Sequence, residues 1–345
     1  MNISWVGTPV LAGAAPNAAA MDKLLAAPVI PQGLIDKQGR ALAPLCAEVA
    51  AAGENPVLIL PLGMEDPDFS AAVLGEACGW AAAGAALAAK AAGASELIIY
   101  AAAGQAGDAL GEAMGQYGLQ PRVVTGEGSA VLREESALYS VLDGKAIRSE
   151  LLDKAFPTQG WQGRPTLVLD IETGCWLAAL ATGAAEKQGK LMAGIAMANP
   201  DAVKLAELAL GSSLDAAVNA FGVTTEKPLL MGGITGFVAP VGQLASTDLT
   251  YTKDFDTLRS FDSSICMAQV GARLTSEIEA MSCGKCVLCR EGSWQFKAAF
   301  AEFPEGKGKK ADFELVPDIG ELIAIGAFCS YGRDMVRVPI GLMRH

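Results

Sequence analysis

From Pro56 onward, short continuously apolar runs alternate with longer alanine-rich stretches. Residues 56–62 (PVLILPL), 96–101 (ELIIYA), 122–125 (RVVT) and 166–170 (TLVLD) are rich in leucine or β-branched residues and bounded by glycine, proline or charge, which predicts buried strands. The stretches 70–94, about 105–117 and about 133–142 predict helices between them, and a further helix follows near 172–185. Parallel strands need crossover connections, so this alternation predicts a largely parallel sheet covered on both faces. Residues 1–185 are expected to form an α/β domain.

Beyond that point the texture changes. Residues 189–223 and the glycine-rich 227–244 (KPLLMGGITGFVAPVGQL) predict a short strand, a helix begun by Ser212 or Ser213 as N-cap, and a further strand, a small α+β module over 186–254. From about Phe255, the segments LTSEIEAM, SWQFKAAFAEF and PDIGELIAIGAF have helical spacing, so 255–345 predicts a small helical bundle. The basic run 305–310 falls between two of its helices and reads as a solvated loop.

Composition narrows the function. The chain has 345 residues, 51% hydrophobic and 19% charged, enough for two or three domains with proper cores. Its net charge of −12 would repel phosphates, which argues against nucleic acid and anionic membranes and leaves proteins or small molecules as partners. The alanine-dominated stretch 70–94 contains Glu76 and Lys90 and is expected to be a packed helix, not a membrane span. No basic residues precede the apolar part of the N-terminus, so no signal peptide is read there and a cytoplasmic location is expected.

Of eight cysteines, Cys46, Cys78, Cys175 and Cys266 are scattered among apolar neighbours and are expected to be buried small hydrophobes. The others are patterned. Cys283, Cys286 and Cys289 form a C-x2-C-x2-C run, and Cys329 lies in GAFCSYG at the end of a later predicted helix. Three clustered thiolates and one remote suit a [4Fe-4S] cluster. A four-cysteine zinc site is the alternative, although it ordinarily uses two separated C-x2-C pairs. Gly284 and Gly292 are expected to let backbone N–H groups approach the sulfides. Lys285 and Arg290 are expected to place positive charge beside an anionic cluster. The only histidine is the last residue, His345.

SCGKCVLCREG (282–292) with the remote FCSYG (328–332) resembles the C-terminal cluster domain of the NADH-binding flavoprotein (51 kDa-type) subunit of respiratory complex I, a subunit type that recurs in NAD-linked hydrogenases and formate dehydrogenases. The resemblance extends upstream: residues 81–101 resemble a helix–strand segment of the family's α/β domain, REESALYSVLDGK (133–145) its Glu-Glu motif, and GWQGRPTLVLDIET (160–173) a segment near its flavin. KPLLMGGITGFV (227–238) resembles its ubiquitin-like β-grasp (SLBB-like) module. The resemblance implies a Rossmann-like α/β domain, a β-grasp module and a helical [4Fe-4S] domain, with FMN and NADH as further ligands.

The chain departs from that pattern where the flavin and nicotinamide should bind. The glycine-dense phosphate loop corresponds to GLIDKQGRALAPL (33–45), with only Gly33 and Gly39. The acidic, asparagine-led loop corresponds to PLGMEDPDF (61–69), where Glu65 and Asp66 remain. Glu134 and Glu135 of the Glu-Glu motif are kept as the candidate flavin or NAD contacts, yet Leu132 and Arg133 replace its cysteine and glycine, and Leu169 and Asp170 stand where asparagines are implied. The same two glutamates also suit a plain acidic helix start. Gly126-Glu-Gly128 has no third glycine at the spacing of a dinucleotide fingerprint.

The expected function is an electron-transfer subunit of a multi-subunit oxidoreductase. It would hold one [4Fe-4S] cluster on Cys283, Cys286, Cys289 and Cys329, have no catalytic residue of its own, have lost flavin and NADH binding, and work beside other redox subunits. One alternative is an active FMN-dependent NAD(P)H:acceptor oxidoreductase subunit that holds FMN through a divergent loop. Another is a zinc scaffold without redox chemistry.

Overall fold

Residues 57–61 are buried at every position, as a strand covered on both faces requires. In the computed structural model, which describes all residues except 1, 7–8, 65, 105, 151–156, 224–225 and 245, they form β2, the strand after β1 (Asn2–Val6). Parallel pairing joins β2 to β3 (Glu96–Ala102) on one side and to β5 (Thr166–Val168) on the other, and β3 to β4 (Arg122–Gly126). The order β4-β3-β2-β5 is the parallel sheet that the alternating pattern predicts. Its crossovers and flanks are α1 (Ala18–Ala26), α2 (Leu42–Ala51), α3 (Pro67–Ala91), α4 (Gly107–Gly115), α5 (Glu135–Leu142) and α6 (Ile171–Ala181). Leu58, Leu60, Ile99 and Leu167 point into a core shared with α2, α3, α4 and α6. Val57, Ile59, Ile98, Tyr100 and Val168 face the other way, onto α5 and Trp161.

The longest helix, α3, starts with Pro67 in its first turn behind Asp66, whose carboxylate accepts from the Asp68 N–H. By length and composition it could cross a membrane, but 72% of its most apolar stretch is buried inside the fold, so packing accounts for its apolarity. Alanine and glycine let it approach α6 closely: a Cβ on Gly84 would lie 1.8 Å from the Gly174 carbonyl oxygen. Gly84→Ala is therefore expected to force the helices apart and destabilise the chain by about 3 kcal/mol, read as a lowered urea midpoint. A parental midpoint would contradict this packing. The helix kinks at Ala77 (φ −129°, ψ 19°), whose carbonyl accepts the buried Cys175 thiol.

The second sheet follows. An antiparallel hairpin of β6 (Gly189–Ala196) and β7 (Ala202–Ala209) leads into α7 (Asp215–Phe221), whose Phe221 ring fills the space that a Cβ would need at Gly194. A second hairpin, β8 (Leu229–Met231) and β9 (Phe237–Ala239), precedes α8 (Val241–Leu244). Then β10 (Thr257–Ser260) inserts parallel to β6 and antiparallel to β8. The order β7-β6-β10-β8-β9, with first and last strands parallel at the centre, is a β-grasp sheet, and β1 adds in parallel beside β7. Two local expectations are corrected. The N-cap of α7 is Leu214, without a side-chain bond, because Ser212 donates its hydroxyl back to the Ala209 carbonyl and Ser213 bridges to Asp248. Residues 257–260 are a strand in this sheet, with Leu258 in its core, and the helices begin only afterwards.

Helices α9 (Met267–Ala280), α10 (Val287–Glu302), α11 (Asp312–Gly326), α12 (Ser330–Asp334) and α13 (Arg337–Arg344) surround a core that includes Phe296, Phe300, Val316, Ile323 and Met335. The bundle rests on the β-grasp sheet: Gly341 lies against the Val238 backbone, and Arg337 donates to both carboxylate oxygens of Asp254. Residues 305–310 form an exposed loop, with Lys307 and Lys309 paired to Glu305 and Glu302. Cys46 and Cys175 are buried as expected and Cys78 is half-buried. Cys266 is exposed because it falls at the N-cap of α9, outside the core.

Candidate metal centre

Two helix starts and a tight turn build the site. The segment between α9 and α10 turns at Gly284 (φ +75°), a backbone conformation that favours glycine, so that Cys283 and Cys286 come to the same side. Cys286 is the N-cap of α10, Cys289 lies in its first turn, and Cys329 is the N-cap of α12. These four thiols line one cavity with Phe328 and Tyr331. All the cysteines that the spacing singles out are thus brought together, although Cys329 stands 40 residues beyond Cys289.

Neither N-cap sulfur closes a capping hydrogen bond, yet backbone N–H groups surround both. Burial opposes ionisation of Cys286, but the amides of Cys289, Phe328 and Leu288 outweigh it and hold the thiol below its ordinary range. Burial pushes Cys289 up to about 11 against the Ser282 hydroxyl 3.5 Å away, and the other three thiols push it further in the same direction. Burial likewise raises Cys329, with the Gly332 amide acting against it and Glu134 with it. Four thiolates crowded together in a desolvated cavity repel one another unless cations lie between them, and that is the donor set a thiolate-bound metal cluster needs. The residues fit a [4Fe-4S] cluster.

Some supporting parts differ from expectation. Gly292 serves helix packing: a Cβ there would lie 2.1 Å from Ile323 Cδ1, so its role is the α10–α11 contact. The glycine that approaches the thiols is Gly332, whose added Cβ would sit 3.5 Å from Cys289 Cβ. Lys285 extends over the Phe328 ring, donates to the Ser149 carbonyl at 2.9 Å and pairs with Glu150, so its charge is neutralised within the protein. Arg290 pairs with Glu291 and donates to the Gly284 carbonyl, closing the turn. Ser282 and Gly332 lie inside the two cysteine motifs but are not singled out by the cysteine spacing, and the Ser149–Glu150 segment carries no motif that would reveal it in the sequence.

The residues at the flavin and nicotinamide positions are engaged elsewhere. In the 33–45 loop, the Gln38 and Arg40 N–H groups both donate to Asp36 Oδ1 at 2.9 Å, and Arg40 bridges Asp36 to Glu135 at 2.7 and 3.0 Å. Burial pushes Glu135 up to about 7 even with Arg40 beside it. Glu134, the N-cap residue of α5, accepts from the Ser330 N–H at 2.7 Å. Asp66 forks onto Arg259 with two 2.8 Å bonds, and although burial works against its charge, Arg259 holds it below the usual carboxylate range. Glu65 lies outside the described residues. Asp170 caps α6 through the Thr173 N–H at 2.8 Å, and Leu169 is buried.

Behind the 33–45 loop, Lys37 and Lys190 meet Glu172 and Asp256 with almost no solvent exposure. Lys190 Nζ lies 2.6 Å from Glu172 and 2.7 Å from Asp256, and Lys37 Nζ lies 2.9 Å from Asp256 and 3.3 Å from Glu172. Both ammonium groups also stand over the Phe69 ring.

A parallel α/β sheet, a β-grasp sheet and a helical bundle together bring four thiols onto one cavity whose donor set suits an iron–sulfur cluster. Residues 269–345 match the family described as the NADH-ubiquinone oxidoreductase-F iron-sulfur binding region, a [4Fe-4S]-binding domain. The chain is 28% identical over 238 residues to the HndC subunit of the NADP-reducing hydrogenase of Solidesulfovibrio fructosivorans, covering 61% of this chain and 47% of that one. It is 27% identical over 235 residues to the F 2 subunit of the NADH-quinone oxidoreductase of Rhizobium meliloti (strain 1021), covering 60% and 54%. The fold superimposes on a chain of an NAD+-reducing [NiFe]-hydrogenase with a TM-score of 0.77 at 23% identity, over 99% of this chain and 66% of that one. The chain is similar to the NADH-binding flavoprotein (51 kDa-type) subunits of NADH-quinone oxidoreductases and hydrogenases, as the cysteine motif implies. It spans about half the length of these two curated relatives.

Proposed function

We propose that the chain is an electron-relay subunit of a multi-subunit oxidoreductase in the cytoplasm, with Cys283, Cys286, Cys289 and Cys329 ligating one [4Fe-4S] cluster and with flavin and NADH no longer bound. The cluster supplies one-electron chemistry. The protein orients its thiols, covers them with Phe328 and Tyr331, and sets the charge around them. The observation that carries the reading is the convergence of four thiols from two separate segments on one cavity. A single zinc ion suits the site less well: among the described residues, no three His, Cys, Asp or Glu side chains converge tightly enough to hold one ion, whereas a cubane spreads its ligands wider.

The loss of flavin is supported by Asp36. Its carboxylate takes up loop N–H groups that a phosphate would need, and it would repel that phosphate. Asp66, Glu134 and Glu135 are committed to Arg259, Ser330 and Arg40 in the same way. A partner redox subunit accords with exposed apolar residues on the helices that flank the thiols, Val287 and Trp294 on α10 and Leu322 and Ile325 on α11.

Anaerobic purification of the chain with whatever co-purifies, assayed for iron, sulfide and flavin on the separated chain, tests this. The expected result is about four irons and four sulfides with no flavin, and a spectrum that NADH leaves unchanged. A flavin band bleached by NADH would establish the FMN-dependent enzyme instead. One zinc without iron or sulfide would establish the scaffold.

A further inference from the structure

Glu134 belongs to the α/β domain, at the start of α5, yet its Oε1 accepts a 2.7 Å hydrogen bond from the Ser330 N–H, 196 residues away in sequence. Ser330 directly follows Cys329 and is the first residue of α12. A first-turn N–H has no partner within its own helix, so an external acceptor there fixes the position of the helix start and of the thiol attached to it. The bond also carries a formal charge to the edge of the site. A negative charge beside an anionic centre makes the next electron harder to accept. Lys285, the cation of the cysteine loop, does not offset it, because its ammonium is held by the Ser149 carbonyl and Glu150.

Building on the cluster reading above, we propose that Glu134 is a positioning residue of the iron–sulfur centre, pinning the Cys329 loop to the α/β domain and lowering the potential at which the cluster takes up one electron. The residue that the family resemblance offers to a nucleotide is on this account a structural and electrostatic part of the cluster site.

The test uses the full chain, reconstituted anaerobically and titrated with dithionite in the presence of redox mediators. Glu134→Gln keeps an oxygen for the Ser330 N–H and deletes only the charge. It is expected to hold the parental iron and sulfide and to shift the reduction equilibrium about tenfold toward the reduced form, which is 59 mV for one electron. A midpoint within a twofold shift of the parent would overturn the proposal. Ser330→Pro removes the donor and keeps the charge. Proline suits a first helical position, and Cys329 already has the extended backbone (φ −119°, ψ 169°) that precedes proline. This variant is expected to lose iron to a chelator several-fold faster than the parent, and an equal rate would overturn the pinning role. Should Glu134→Gln take up no iron, the chelator rate of Ser330→Pro decides alone. A parent chain without four irons and sulfide would defeat the cluster reading itself, and the proposal with it.

Discussion

Cys286→Ser is expected to yield a chain that retains less than about one iron after anaerobic reconstitution, with the cluster's visible absorption gone. Cys286 caps the helix that also carries Cys289, and its sulfur is the one that the surrounding amides favour as thiolate. A serine hydroxyl offers a harder, more weakly ionised donor in its place. Because thiolate–metal bonding is also folding free energy, the loss should reach the protein: α10 and α12 would lose amide protection even though Phe296, Phe300 and Val316 still offer an apolar core. Hydrogen exchange on the parent and variant measures this directly. Full iron and sulfide in Cys286→Ser would show that the ligand set is wrongly assigned.

Glu172→Gln is expected to destabilise the chain by about 3–5 kcal/mol, the usual cost of breaking a buried ion pair by removing one partner. Glu172 and Asp256 balance Lys37 and Lys190 where all four are essentially inaccessible to water. Neutralising one carboxylate leaves a net positive charge there, with Asp256 as the remaining counter-ion of the group. A urea titration with an unchanged slope and a lower midpoint is the expected signature. The double variant Glu172→Leu with Lys190→Met, which removes a charge of each sign, should be less destabilised than the sum of its single changes. Strict additivity would show that the groups do not act together.

Much of the fold is legible in the chain because burial and periodicity agree locally. The four strands of the parallel sheet fall within a residue or two of their apolar runs, since each is short, continuously apolar and bounded by breakers. The four thiols are legible for a chemical reason, as few functions ask for cysteine at every third position. Other features escape because they are settled by tertiary partners. Gly292 looks like part of the cysteine motif until Ile323 is found against it. The Thr257–Ser260 strand is short, and only its neighbours β6 and β8 mark it as the centre of a sheet. The Lys37–Asp256 pair joins residues 219 apart, and no local pattern announces it. The acids at 134 and 135 are visible in the sequence, but one faces a helix start and the other an arginine, and adjacent identical residues cannot reveal that difference.

The pairing of β1 with β7 also governs how the chain can be made. Residues 2–6 leave the ribosome well before their partner strand, 202–209, which follows some two hundred residues later. At translation rates of roughly 5–20 residues per second the nascent 2–6 segment stays unpaired for about 10–40 s. The parallel sheet can close in that interval, once residues 166–168 have emerged. Residues 2–6 thus wait for the β7 edge, which forms after the parallel sheet can close, and until then a sticky strand edge is left for chaperones to shield.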